Sequence, residues 1–127
     1  MGFLFKRHYT LAEARAMLPK IKRWLEQLGR SRAEFEKLDA EVGKLTAPGD
    51  DAGGETVNRC IKALAKITGL LQEFKQAEIQ VKDLDRGLID FPALKDGEEI
   101  FLCWEQDDDD IEYWHDLDTG YAGREKL

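Results

Sequence analysis

The sequence is poor in the residues that mark secreted scaffolds, membrane spans and small metal-finger folds. It holds two cysteines and three prolines in 127 residues. Two thiols make no disulfide framework, so the expected setting is a reducing cytoplasm with both cysteines free. No apolar run approaches the roughly 20 residues needed to cross a bilayer, and the opening Met1-Gly-Phe-Leu-Phe-Lys6 lacks the basic-then-apolar order of a signal peptide. There is no Cys-x-x-Cys pair and no His-Glu-x-x-His helix. Eleven glycines and 35% charged residues exclude collagen-like, fibrous and wholly disordered classes. A chain of this length can bury its own core, so a single domain over residues 1–127 is expected, with no structural metal required for folding.

Charge is plentiful but unevenly placed. The formal net charge is -7, from 19 basic and 26 acidic side chains. Residues 1–77 carry 14 basic against 10 acidic, whereas residues 78–127 carry 5 against 16, including the run Asp107 to Asp110. An acidic surface repels phosphate backbones and anionic lipid, so neither nucleic acid nor a membrane is an expected partner.

Helical periodicity fills the first half. Thr10-Leu-Ala-Glu13 is a capping box, in which the Thr10 hydroxyl accepts the Glu13 amide and the Glu13 carboxylate accepts the Thr10 amide. Apolar residues then recur at Ala14, Leu18, Ile21, Leu25, Leu28, Phe35, Leu38, Val42 and Leu45, with Arg32 interrupting the stripe. This predicts a helix over residues 10–45, with a kink or break near Pro19, where the ring removes one backbone hydrogen bond. Three glycines, a proline and two aspartates make residues 46–54 a linker. A second helix over residues 55–77 carries Val57, Ile61, Leu64, Ile67, Leu71 and Phe74, widened by Cys60, Ala63 and Leu70. The two helices should form an antiparallel hairpin. The breadth of the second stripe suggests contact with more than one element, another subunit among them.

From residue 79 the period falls to two. Ile79 to Leu84, Leu88 to Phe91, Glu98 to Glu105 and Ile111 to His115 read as strands, with turns at Asp85-Arg-Gly87 and Lys95-Asp-Gly97. Pro92 should end its strand or lie on an edge. The expected fold is α+β: a long antiparallel helical hairpin packed on a three- or four-stranded antiparallel sheet, with a C-terminal loop completing residues 79–127.

The sheet region gathers the chemistry-bearing side chains. Asp90, Cys103, Glu105 and His115 offer oxygen, sulfur and nitrogen ligands, a set that suits zinc with one position open for water. Cys103 as a nucleophile activated by His115 would need an orienting carboxylate from Asp90 or Asp116. Its large apolar neighbours favour a packed thiol instead. Tyr113 and Trp114, with Trp104, could form an aromatic wall. Tyr113, Trp114, Asp116 and Arg124 are the candidates for a ligand or interaction surface. Strand parity puts Cys103 and Glu105 on one face with Phe101, and Tyr113 with His115, but the sequence leaves the register between strands open.

Val81-Lys-Asp83, Gly87-Leu-Ile-Asp-Phe-Pro92, Phe101-Leu-Cys-Trp104, Tyr113-Trp-His115 and Gly120-Tyr-Ala-Gly-Arg124, with Tyr9-Thr-Leu-Ala-Glu-Ala14 and Leu18-Pro19 near the start, resemble a small uncharacterised prokaryotic family catalogued as domain of unknown function 2203. The resemblance spans nearly the whole chain. It implies a bacterial or archaeal cytoplasmic protein and supplies no reaction. The residues therefore leave two expectations. The first is a non-enzymatic, homo-oligomeric interaction or structural module that also receives a protein partner. The alternative is a small metal-binding protein or metal-assisted hydrolase with a divalent metal at Asp90, Cys103, Glu105 and His115.

Overall fold

Two long helices come first and five short strands follow. In the computed structural model, which describes residues 2–44 and 53–127, α1 spans Leu11–Lys44 and α2 spans Gly53–Gln76. The strands are β1 (Gln80–Asp83), β2 (Leu88–Lys95), β3 (Glu98–Glu105), β4 (Tyr113–Asp116) and β5 (Glu125–Lys126). The fold class is α+β, as expected. Residues 46–52 of the expected linker lie outside the described residues, and Gly53 and Gly54 belong to α2. The described chain divides into two compact units: the residues up to Lys22 together with Glu73–Leu127, and Arg23–Gln72.

In the unit that contains the sheet, α1 begins at the expected capping box. The Glu13 amide donates to Thr10 Oγ1 at 3.1 Å, and the Thr10 amide to Glu13 Oε1 at 3.0 Å. The expected break near Pro19 is absent, since helical structure continues through it. Pro19 forfeits the bond to the Arg15 carbonyl. Burial of Ala14, Leu18 and Ile21 around it offsets that loss, because tertiary packing supplies most of a helix's stability.

The five strands form one antiparallel meander in the order β1-β2-β3-β4-β5. The fifth strand exceeds the expected three or four, because the chain end returns to pair Tyr113 with Lys126 and Trp114 with Glu125. Pro92 lies inside β2 and does not end it. The β1 pairing stops at Gln80 opposite Asp90, so the edge of β2 is open at Pro92 and no ladder bond is lost there. The Pro92 carbonyl accepts the Tyr9 amide at 2.7 Å. Lys95 and Glu98 flank a two-residue turn in which Asp96 and Gly97 both have positive φ (52° and 82°), the Asp-Gly signature of a tight hairpin. Gly87 is required twice over: its φ is +63°, and a Cβ there would stand 2.5 Å from that of Gln106.

Register assigns the strand residues to two faces. Ile89 opposite Trp104, Phe91 opposite Leu102 and Ala93 opposite Ile100 build one apolar face, against which the Tyr9 ring meets Phe91 edge-on at 5.4 Å. The other face carries Asp90, Pro92, Phe101 and Cys103, and there Phe5 meets Phe101 at 5.5 Å. The N-terminal segment thus crosses the open sheet edge beside Pro92, with Phe5 on one face and Tyr9 on the other. Two carboxylates hold it, each taking two successive amides: Glu99 those of Leu4 and Phe5, Glu78 those of Lys6 and Arg7. Glu78 does so from a left-handed conformation, with φ of 58°, which disfavours residues other than glycine.

The second unit is a helical hairpin. The α1 stripe continues through Leu25, Leu28 and Leu38, all buried, and passes through Ser31, also buried, where the sequence had suggested Arg32. On α2 the inner face consists of Thr56, Cys60, Ala63, Ile67 and Leu70. Four residues of the expected stripe, Val57, Ile61, Leu64 and Leu71, are exposed at 36 to 59%. Two apolar stripes run side by side on this helix, one residue apart, and periodicity alone does not say which faces α1.

Candidate metal centre

The register that the sequence left open brings three of the four expected ligands together. Asp90 lies opposite Cys103, and Phe101 lies opposite His115 one row along the same face. The ligand atoms of Asp90, Cys103 and His115 all lie within 4.8 Å of one another, and all three residues are buried. Glu105 is not among them. It sits two residues further along β3, opposite Leu88, where Oε1 accepts from Arg86 Nε at 2.9 Å and Oε2 from the Tyr121 hydroxyl at 3.3 Å.

His115 bridges two acceptors. Its Nδ1 donates to the Asp116 carbonyl at 2.7 Å, and its Nε2 lies 2.9 Å from Asp90 Oδ2. The carbonyl cannot donate, so it fixes the proton on Nδ1. Burial pushes the Asp90 carboxyl above its ordinary range, against the pull of His115, Lys82 and Cys103.

The Cys103 thiol is pushed up to about 12, first by burial and then by the neighbouring Asp90 charge, while Arg124 pulls the other way. At neutral pH the thiol stays protonated. Burial thus works against a free thiolate nucleophile, and the imidazole nitrogen that would activate it already faces Asp90.

Arg124 belongs to the same neighbourhood, and sequence reasoning had placed it apart from the ligands. Its guanidinium lies 4.0 Å from the centre of the Tyr113 ring and 4.1 Å from that of Tyr121. Tyr113 stands opposite Cys103. Among the described residues, two buried side-chain polar atoms have no hydrogen-bond partner, Asp90 Oδ1 and Arg124 Nη1. Both residues act on the Cys103 thiol, Asp90 raising its pKa and Arg124 lowering it, each by charge and by hydrogen bonding. The return of the residues after Gly120 to pair with β4 brings the guanidinium here, and local pattern does not reveal that pairing.

The other expected surface residues separate. Trp114 lies opposite Leu102, on the face away from Tyr113, with Lys95 Nζ 3.8 Å above its ring. Trp104 is fully buried and its indole N–H donates to the Asp108 carbonyl at 3.0 Å, so the three aromatics form no common wall. Asp116 contributes its carbonyl and leaves its side chain exposed.

Fold and site together define an α+β protein with a buried Asp/Cys/His group on the second face of its sheet. The chain belongs to the family described as "Uncharacterized conserved protein (DUF2203)", whose model matches residues 7–127. No curated protein and no solved structure matches it. Among the described residues, no helix is long and apolar enough to cross a membrane.

Proposed function

We propose that this protein binds one divalent transition-metal ion of the zinc class through Asp90, Cys103 and His115. The observation that carries this reading is the convergence of the Asp90, Cys103 and His115 ligand atoms, all within 4.8 Å of one another on three buried residues. Asp90 Oδ1 has no hydrogen-bond partner, whereas buried polar groups are almost always partnered, and a bound cation would take that oxygen. The donor set supports the same reading. Oxygen, nitrogen and sulfur ligands with bonds of about 2.0–2.3 Å suit tetrahedral zinc, and His115 already donates its other N–H to a carbonyl, the usual support of a metal-bound imidazole. Three protein ligands leave a fourth position for water, which would lower that water's pKa and supply a nucleophile for hydrolysis.

Binding and hydrolysis are separable. Burial of all three ligands favours a held metal, and a metal-assisted hydrolase would further need a path for substrate. The second reading, a homo-oligomeric module, draws support from the exposed α2 stripe. Two unpaired cysteines, Cys60 and Cys103, agree with a reducing, cytoplasmic setting.

Cobalt(II) titration followed by absorbance tests the proposal. Wild type is expected to take up one equivalent with a thiolate charge-transfer band. Cys103→Ser should lose the band, His115→Ala and Asp90→Asn should weaken binding at least tenfold, and Glu105→Gln should bind as wild type does. Absence of stoichiometric uptake, or uptake unchanged in Cys103→Ser, rejects the site.

A further inference from the structure

The second apolar stripe of α2 stands largely exposed among the described residues. Val57, Ile61, Leu64 and Leu71 are 36%, 59%, 47% and 40% exposed. Thr68 fills the gap between the last two, and its hydroxyl donates to the Leu64 carbonyl at 3.0 Å within the same helix, so the stripe makes no demand for a polar partner. The spacing is four, three, four, three. That repeat keeps side chains on one line along a helix, over about 21 Å here at about 1.5 Å per residue, and it is the seam by which one helix packs along another. A solvated face needs no such line.

Charge is missing from the seam's outer flank as well. Asn58, Ala65 and Gln72 occupy the positions beside it, in a chain that is 35% charged. An acidic or basic partner would find nothing there to read. The unit Arg23–Gln72 carries eight basic and eight acidic side chains, so the whole net charge of -7 resides in the rest of the chain. Two copies meeting through their hairpins therefore meet without net repulsion at the contact, whereas two sheet units would repel.

We infer that two copies of this chain pair through this seam, α2 against α2 about a two-fold axis. An isologous contact needs one self-complementary patch, and an uncharged seam is complementary to itself. Each copy removes the other's exposed Ile61 and Leu64 from water. Four apolar side chains per copy, on a single helix, fall short of the roughly 800 Å² per partner of a standard interface. The dimer is accordingly weak, with dissociation on the order of micromolar. This pairing is independent of the metal.

Light-scattering mass measurement across about 1 to 100 µM protein, a range that brackets such an affinity, provides the test, with Ile61→Glu as the probe. Ile61 is the most exposed member of the seam, so the substitution leaves the monomer fold intact, which circular dichroism and the melting temperature verify. The wild-type mass should rise from 14.5 kDa towards twice that value, and Ile61→Glu should shift the midpoint at least tenfold upwards. Leu71→Lys, at the other end of the seam, should do the same. A wild type that stays monomeric throughout, or a dimer that both variants leave unchanged, overturns the inference.

Discussion

The sheet unit and the hairpin unit use apolar residues in opposite ways. In the sheet, both faces of β2 and β3 are covered: residues 88–93 and 100–104 are buried without interruption. The hairpin buries one stripe of α2 and leaves a second exposed. Charge divides oppositely too, since the sheet unit holds all of the net -7 and the hairpin unit is neutral. The comparison teaches that the strands can hold a polar site in a sealed interior, while the electrically neutral hairpin unit leaves a line of apolar side chains on one helix open to association.

Removing large side chains gives the widest separation between the units. Trp104→Ala is expected to cost about 3–5 kcal/mol, the range for an aromatic lost from a packed core. Leu64→Ala, on the exposed seam, should fall within about 0.5 kcal/mol under dilute conditions. Chemical denaturation of both variants at low concentration measures the contrast. Equal losses would mean that the seam is already buried within one chain.

Glycine substitutions sharpen it further. Gly69 has open space where a Cβ would go, so Gly69→Ala should stabilise the monomer by up to about 1 kcal/mol through helix propensity. Gly87→Ala should destabilise by more than that, because both its φ and its approach to Gln106 exclude a side chain. Melting curves that moved in the same direction would contradict the packing described.

A smaller effect concerns pH. Glu99 is drawn upwards by burial, but its hydrogen bonds from His8, Leu4 and Phe5 prevail and hold the carboxyl below its ordinary value of 4.5. The folded pKa thus lies below the unfolded one. The stabilisation is fully present above about 4.5 and is lost as pH falls through the lowered folded value. Hydrogen exchange should show the Leu4 and Phe5 amides losing protection in that acid window, while the Lys62 and Lys66 amides of the hairpin remain protected. Loss of protection already at neutral pH would show that Glu99 does not hold the segment.

Much of this was legible in the residues. Thr10 and Glu13 announce the start of α1, Asp96-Gly97 announces a hairpin, and alternating apolar residues announce β2 and β3. Those signals are local. What the residues left open was set by distant neighbours: of the two places offered for Pro92 it takes an open edge because β1 ends at Gln80, and of the two stripes on α2 the inner one holds Cys60, Ala63 and Ile67. The candidate site followed the same rule. Asp90, Cys103 and His115 could be nominated by chemistry, but only register separates them from Glu105, whose carboxylate Arg86 holds elsewhere. Arg124 could not be joined to them without knowing that the chain end returns to β4. Within the acidic run, prominent in the sequence, Asp108 accepts from the nearby Glu105 amide and Asp110 from the adjacent Ile111 amide, while Asp110 also accepts from the distant Arg15 Nε on α1.

Native mass spectrometry with added zinc reads both units in one measurement. If the sheet unit holds the metal and the hairpin unit holds the partner, wild type gives a dimer with two ions, Cys103→Ser a dimer with none, and Ile61→Glu a monomer with one. Loss of metal and of pairing together in either single variant, or metal retained in Cys103→Ser, would contradict that division.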